Sequence, residues 1–177
     1  MARLARIVAP GLPHLVTQRG IRRQDVFSDK ADYVLYLELL QAHCAKERVA
    51  ILAYCLMPNR VHLIAVPNKA ESLGRAIGEA HRRYTRHVND KKDWHGHLWH
   101  GRFASFAMDE SHLLMAARYI ELSPLRAGLV RTPAKYAWNS IHAHLAGKDD
   151  GLVSVKPLRD LVADWPGFLR QGLDDNE

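Results

Sequence analysis

The chain has 177 residues, 47% of them hydrophobic and 25% charged, with a formal net charge of +6 at pH 7 and a pI near 9.5. That balance is the one ordinary globular proteins have, and the length is enough to bury a core. No apolar run is long enough to span a bilayer and the N-terminus carries no signal-type apolar region, so a cytoplasmic protein with no membrane partner is expected.

The basic balance suits a polyanionic partner without requiring one. Cys44 and Cys55 have no CxxC neighbour, which points to core thiols and away from a zinc site or a disulfide.

Residues 13–20, Pro13-His14-Leu15-Val16-Thr17-Gln18-Arg19-Gly20, suit a first strand closed by glycine, and Ile21-Arg22-Arg23-Gln24-Asp25 follows as a basic loop. Ser28 suits the N-cap of a helix reaching about Lys46, with Val34, Leu37, Leu40 and Cys44 on one face. A second strand, Val49 to Leu56, leads into a Pro58-Asn59 turn and a third strand to Val66.

The third strand holds an anomaly. Strand alternation puts Arg60, His62 and Ile64 on one side and Val61, Leu63 and Ala65 on the other. A histidine thus sits mid-strand beside a cation, on a face that should be apolar. Taken alone, His62 reads either as a half-buried, satisfied histidine or as half of a metal site whose first imidazole is missing.

A second helix spans about Glu71 to Asn89, with Leu73, Ile77, Ala80, Tyr84 and Val88 as its apolar stripe. Arg75, Arg82, Arg83 and Arg86 form a cationic flank, either a solvated face or a contact for phosphates. The segment Trp94-His95-Gly96-His97-Leu98-Trp99-His100-Gly101-Arg102-Phe103 interleaves aromatics, histidines and an arginine. Its histidines have no second cluster to complete a zinc site. Trp99 and Arg102 suit base stacking and phosphate clamping, and aromatic packing beneath a helix competes with that reading.

A fourth strand is placed within 97–107. A third helix opens at Asp109-Glu110-Ser111 and is expected to stop at Ser123-Pro124, with Leu113, Ala117 and Ile120 buried. Tyr119 aligns with Met115 and Ser123 at the margin of that stripe, free to face a site. A short helix is expected at 136–140 and an amphipathic tail from Val155 to Leu169, with an acidic end from Asp174 to Glu177. The element order predicts an α+β, ferredoxin-like antiparallel sheet with helices packed on one face. The division expected is a domain at 1–147 and a C-terminal helical extension at 148–177.

Four segments, in order, resemble the single-tyrosine HUH transposases, most closely the REP-associated tyrosine transposase branch. They are residues 14–20, Met57-Pro58-Asn59-Arg60-Val61-His62-Leu63-Ile64, residues 96–103, and Ala117 to Val130 around Arg118-Tyr119-Ile120-Glu121. The resemblance implies cleavage and rejoining of single-stranded DNA near palindromic hairpins through a 5′-phosphotyrosine. It implies Tyr119 as nucleophile, positions 60 and 62 as metal ligands, and a polar metal-side residue at Ser123, with Mg²⁺ or Mn²⁺ as cofactor. A divalent ion would stabilise charge on the phosphate, and a phenol is a poor nucleophile until a nearby cation stabilises its phenolate.

The chain departs from that pattern at Arg60, which stands where an imidazole belongs and cannot ligate a metal, and at Ser123, where an amide is usual. A weakened metal site is therefore expected, with Arg60 able to clamp the phosphate itself. Candidate DNA contacts are His14, Arg19, Arg22, Arg23 and Arg60, together with Arg82, Arg83, Arg86, Trp99 and Arg102. Two other readings stay open: a catalytically inactive protein that binds DNA hairpins, and an RNA-hairpin binder. The partner expected is single-stranded or hairpin DNA, and the protein is either a monomer or a homodimer.

Overall fold

The computed structural model describes residues 6–174. Four strands, β1 (His14–Arg19), β2 (Val49–Met57), β3 (Arg60–Pro67) and β4 (Ala104–Ala107), form one antiparallel sheet in the order β2-β3-β1-β4. Helices α1 (Lys30–Glu47) and α2 (Ser72–Lys92) are the two crossovers. This is the ferredoxin-like βαββαβ arrangement expected from the element order. The fourth strand is shorter than the 97–107 segment proposed for it, because residues 98–100 bond instead to the end of β1 and the loop after it.

Helices cover both faces of the sheet, a correction to the single helical layer expected. Val61, Leu63 and Ala65 pack beneath α1 and α2 with Tyr36, Leu40, Ile77 and Tyr84. Ile64 faces the other way, into a second cluster under α3 (Glu110–Arg126). Alternation along β3 therefore holds, and both of its faces are buried. Along β2 the alternation breaks at a bulge between Ile51 and Ala53, where Leu52 and Ala53 both turn toward the α3 cluster.

Several local expectations are corrected. The N-cap of α1 is Asp29, whose carboxylate accepts from the Asp32 amide at 3.1 Å, while the Ser28 amide donates to Asp32. On that helix Val34 is exposed and Tyr36 is buried. Helix α3 runs through Ser123-Pro124 to Arg126. Proline removes an amide from the helix, but Leu122, Ser123 and Pro124 are buried, and tertiary packing overrides the local rule.

Residues 136–140 are not helical, and the helix expected there forms instead as α4 (Ile141–Ala146). The tail folds as α5 (Lys156–Leu161) and α6 (Trp165–Asp174), and the acidic end beyond Asp174 lies outside the described residues.

The tail is tied to α3 by a buried carboxylate. Glu121 accepts from the Ser140 hydroxyl at 2.8 Å, His144 Nδ1 at 2.6 Å and Trp165 Nε1 at 2.8 Å. Glu121, His144 and Trp165 are all fully buried. Three donors from two elements converge on one anion, so the position of α3 on the sheet is held from behind. Sequence reasoning missed this network; its signal was a glutamate next to Ile120, on the buried side of an otherwise apolar stripe.

Candidate active site

The end of the sheet is knitted by the loop after β1. The Gly20 amide donates to the Asn59 carbonyl at 2.9 Å, and the Ile21 amide to the Leu98 carbonyl at 2.9 Å. A Cβ at residue 20 would lie 2.3 Å from the Gln24 carbonyl oxygen, so only glycine fits. Arg22 and Arg23 then take left-handed conformations, at φ 55° and 59°, which bend the loop sharply beside the β2–β3 turn.

On the α3 face, pairing sets the side chains in rows. Thr17 lies opposite His62, and Arg19 opposite Arg60. His62 is 7% exposed, and neither ring nitrogen has a protein partner. Burial, and secondarily the charge of Arg60, lowers its pKa to about 4, so at neutral pH it is an uncharged imidazole. The Tyr119 ring meets it edge-on, with centroids 5.6 Å apart and planes at 81°. Tyr119 is 42% exposed, and the Arg126 guanidinium lies 5.8 Å from its ring centroid.

Two clefts flank Arg60. One, of about 570 Å³, is lined by Arg19, Arg23, Arg60, His62, His100 and Arg102 among others. The other, of about 600 Å³, is lined by Asp25, Asn59, Arg60, Tyr119, Ser123 and Arg126 among others. Arg60 is exposed and steered by its own turn, its Nε donating to Asn59 Oδ1 at 3.2 Å. A guanidinium thus stands at the divide between a cationic trough and a cleft that holds an accessible phenol. Chemically, such an arrangement can hold a phosphodiester across Arg60 and present it to Tyr119.

The family model for IS200-like transposases matches residues 12–123. The chain belongs to that family. The matched stretch runs from just before β1 to the turn of α3 that carries Tyr119 and Ser123. Among solved structures, the chain is similar to a REP-associated tyrosine transposase bound to a REP hairpin, at 18% identity and a TM-score of 0.70. That alignment covers 88% of this chain and 90% of the other.

A protein from Deinococcus radiodurans R1 assigned as a transposase aligns at 21% identity and a TM-score of 0.47, over 68% of this chain and 96% of its own. Among curated proteins, no sequence matches this chain.

Within this transposase fold the candidate residues separate into two groups. Arg19, Arg23, Arg60 and Arg102 line the trough, and Arg60, Tyr119 and Ser123 line the second cleft. Arg22 is exposed on the same loop. Arg82, Arg83 and Arg86 lie on α2, on the other side of the sheet; the first two bond Glu79 at 2.7–2.8 Å, and Arg86 is 3.9 Å from Asp90. They do not join this site.

Two DNA-contact assignments are corrected. His14 is fully buried, with Nε2 accepting from the Ala9 amide at 3.1 Å and Nδ1 2.8 Å from the Leu12 carbonyl. It has no face left for a phosphate. Trp99 is 6% exposed and stacked on His81 at 4.7 Å, so it packs beneath α2 and cannot stack on a base. Arg126 was missed, although its spacing of seven from Tyr119 puts it on the same helix face.

The donor set does not fit a divalent cation. His62 offers one imidazole, Arg60 offers none, and the Ser123 hydroxyl donates to the Tyr119 carbonyl at 2.6 Å. Among the described residues no three His, Cys, Asp or Glu side chains are grouped to hold a metal. One imidazole and one committed hydroxyl leave too few protein ligands to anchor Mg²⁺ or Mn²⁺. Among the described residues, too, no helix is long and apolar enough to cross a membrane.

Proposed function

We propose that this chain binds single-stranded or hairpin DNA and acts on it as a transposase-like endonuclease and strand transferase, with Tyr119 as nucleophile and Arg60 as phosphate clamp. The observation that carries this reading is the half-exposed phenol of Tyr119 against the unpartnered imidazole of His62, 5.6 Å apart by ring centroid, in the cleft that Arg60 borders. The similarly folded REP-associated transposase is bound to a REP hairpin, which is the substrate class proposed here.

In the proposed step the Tyr119 oxygen bonds to phosphorus and the phosphorus–O3′ bond breaks. The phenolic proton is lost to water and the departing 3′ oxygen takes up a proton. A 5′-phosphotyrosine and a free 3′-OH result. Reversal by another 3′-OH rejoins the strand without an external energy source. Arg60 supplies a fixed positive charge to the non-bridging oxygens, and the arginines of the trough hold the flanking phosphates.

A second reading, a hairpin-binding protein that forms no adduct, is favoured by the lack of a metal-ligand cluster among the described residues. Denaturing electrophoresis of the protein with labelled, tailed DNA hairpins, with Mg²⁺ or Mn²⁺ and with chelator, separates the two. A covalent adduct absent from Tyr119→Phe supports the transferase. Hairpin binding without any adduct supports the binder, and failure to bind hairpins ends both.

A further inference from the structure

We propose that the apolar groove on the far side of Tyr119 seats one unpaired nucleobase of the strand whose phosphate lies at Arg60. The inference rests on the DNA reading above and specifies the form of the substrate there: single-stranded, with a base stacked next to the nucleophile.

The groove, of about 440 Å³, is lined by Leu15, Phe106, Met108, Met115, Ala116 and Tyr119 among others. Phe106 is 59% exposed, Met115 64% and Tyr119 42%. Single exposed apolar side chains are ordinary, but three around one concavity mark a contact surface. His112 at the rim is engaged by Asp109 at 2.7 Å.

Continuity decides what the occupant must be. Tyr119 lines both this groove and the cleft bordered by Arg60 and Arg126. A ligand that spans both would join an anionic group to an apolar one within a single bond-linked unit. A nucleotide has that form. Its base must be unpaired, because a paired base is stacked within the duplex and cannot enter a groove beside its own phosphate.

The recognition expected is by ring face. Phe106 and Tyr119 offer aromatic surfaces, and the Met115 thioether offers a polarisable one. Such a pocket tolerates any base.

The test compares two DNA hairpins by fluorescence anisotropy, one with an oligothymidine tail at each end and one blunt. Phe106→Ala and Met115→Ala, both at exposed positions, are each expected to weaken the tailed hairpin by about tenfold and to leave the blunt one unchanged. Phe106→Tyr keeps a ring and keeps wild-type affinity. One abasic site scanned along the tail is expected to erase the difference between wild type and Phe106→Ala at a single position.

Equal losses on both hairpins, or no loss on either, overturn the inference while leaving hairpin binding intact. If wild type binds neither hairpin, the DNA reading itself fails. Light scattering that shows a dimer converted to monomer by Met115→Ala assigns the groove to a second copy of the chain and overturns the inference as well.

Discussion

On the α1–α2 face of the sheet, His81 is 6% exposed, its Nε2 lies 2.8 Å from the Tyr36 hydroxyl, and its ring stacks on Trp99. On the α3 face, His62 is 7% exposed and has no protein partner on either ring nitrogen. Burial lowers both pKa values, to about 3 for His81 and about 4 for His62. The desolvation is alike and the compensation is not. A buried polar group without a partner costs free energy that a core histidine recovers through its hydrogen bond. His81 belongs to a closed aromatic core, whereas His62 opens onto a trough of arginines beside a half-exposed phenol. Burial alone does not mark a site; burial without a partner, next to accessible reactive groups, does.

The two faces should respond most differently to loss of a phenol. Tyr119→Phe is expected to reduce adduct formation by at least about a thousandfold, since no other group replaces the oxygen, while hairpin affinity stays within about twofold. Tyr84→Phe removes a hydroxyl that donates to the Val26 carbonyl at 2.6 Å, and it should cost about 1 kcal/mol of stability with adduct yield unchanged. Adduct gels and urea melts read both effects. Adduct loss with Tyr84→Phe at wild-type stability would erase the distinction.

Acid should expose the other half of the comparison. A histidine whose folded pKa lies below its unfolded value of about 6.5 favours folding while neutral. The unfolded chain takes up the proton first, so stability falls as pH drops from about 6.5 and stops falling below the folded pKa. For His81 that window closes near 3, and the loss is on the order of 3–5 kcal/mol. His81→Leu should lower stability at pH 7 by about 1–3 kcal/mol, by orphaning the Tyr36 hydroxyl, and should flatten the acid limb. An acid limb unchanged in His81→Leu would show that His81 is not its source.

Why some of this was readable from residues and some not follows from where each signal resides. The faces of His62 and Tyr119 were legible because a two-residue strand period and a 3.6-residue helix period each fix a face, while their meeting was implied only by the resemblance to the family. The α2 stripe from Leu73 to Val88 was legible for the same reason. His14 was misplaced among the DNA contacts, and of the two readings open for Trp99 the packing one holds, because composition alone does not say whether a histidine or tryptophan ring ends inside or outside. Only the bridge between Gly20 and Trp99 and the His14 ring bonds put them inside.

The helix stop at Pro124 and the single helical layer failed on tertiary grounds: α3 and the tail bury a second face that local propensity does not register. Arg60 was legible as a departure from the family's pattern. That it divides two clefts was not, because that depends on the turn at Asn59.

Changing the charge at position 60 tests the metal argument. Arg60→His places two imidazoles two residues apart on one strand face, and Mn²⁺ at a hundred times its dissociation constant should then stabilise the variant by about 2.7 kcal/mol. Wild type should show no such shift. Adduct turnover in Mn²⁺ should rise about tenfold in the variant relative to wild type. Equal turnover would mean that Arg60 is no obstacle to metal-assisted chemistry.

The smallest expected effect separates the arginines of the two faces. Each phosphate neutralised on a single strand contributes a slope of about −0.7 in log affinity against log salt. Arg19 lines the trough with Arg23 and Arg102 and has an exposed side chain, so Arg19→Ala should reduce the magnitude of the slope by about that amount and weaken all hairpins alike. Arg82 bonds Glu79 at 2.7 Å on the other side of the sheet, and Arg82→Ala should leave the slope as it is. Binding isotherms at several salt concentrations measure both variants. If Arg82→Ala lowers the slope as much as Arg19→Ala does, the nucleic acid wraps onto α2 and the division between a closed face and an open one is wrong for the bound state.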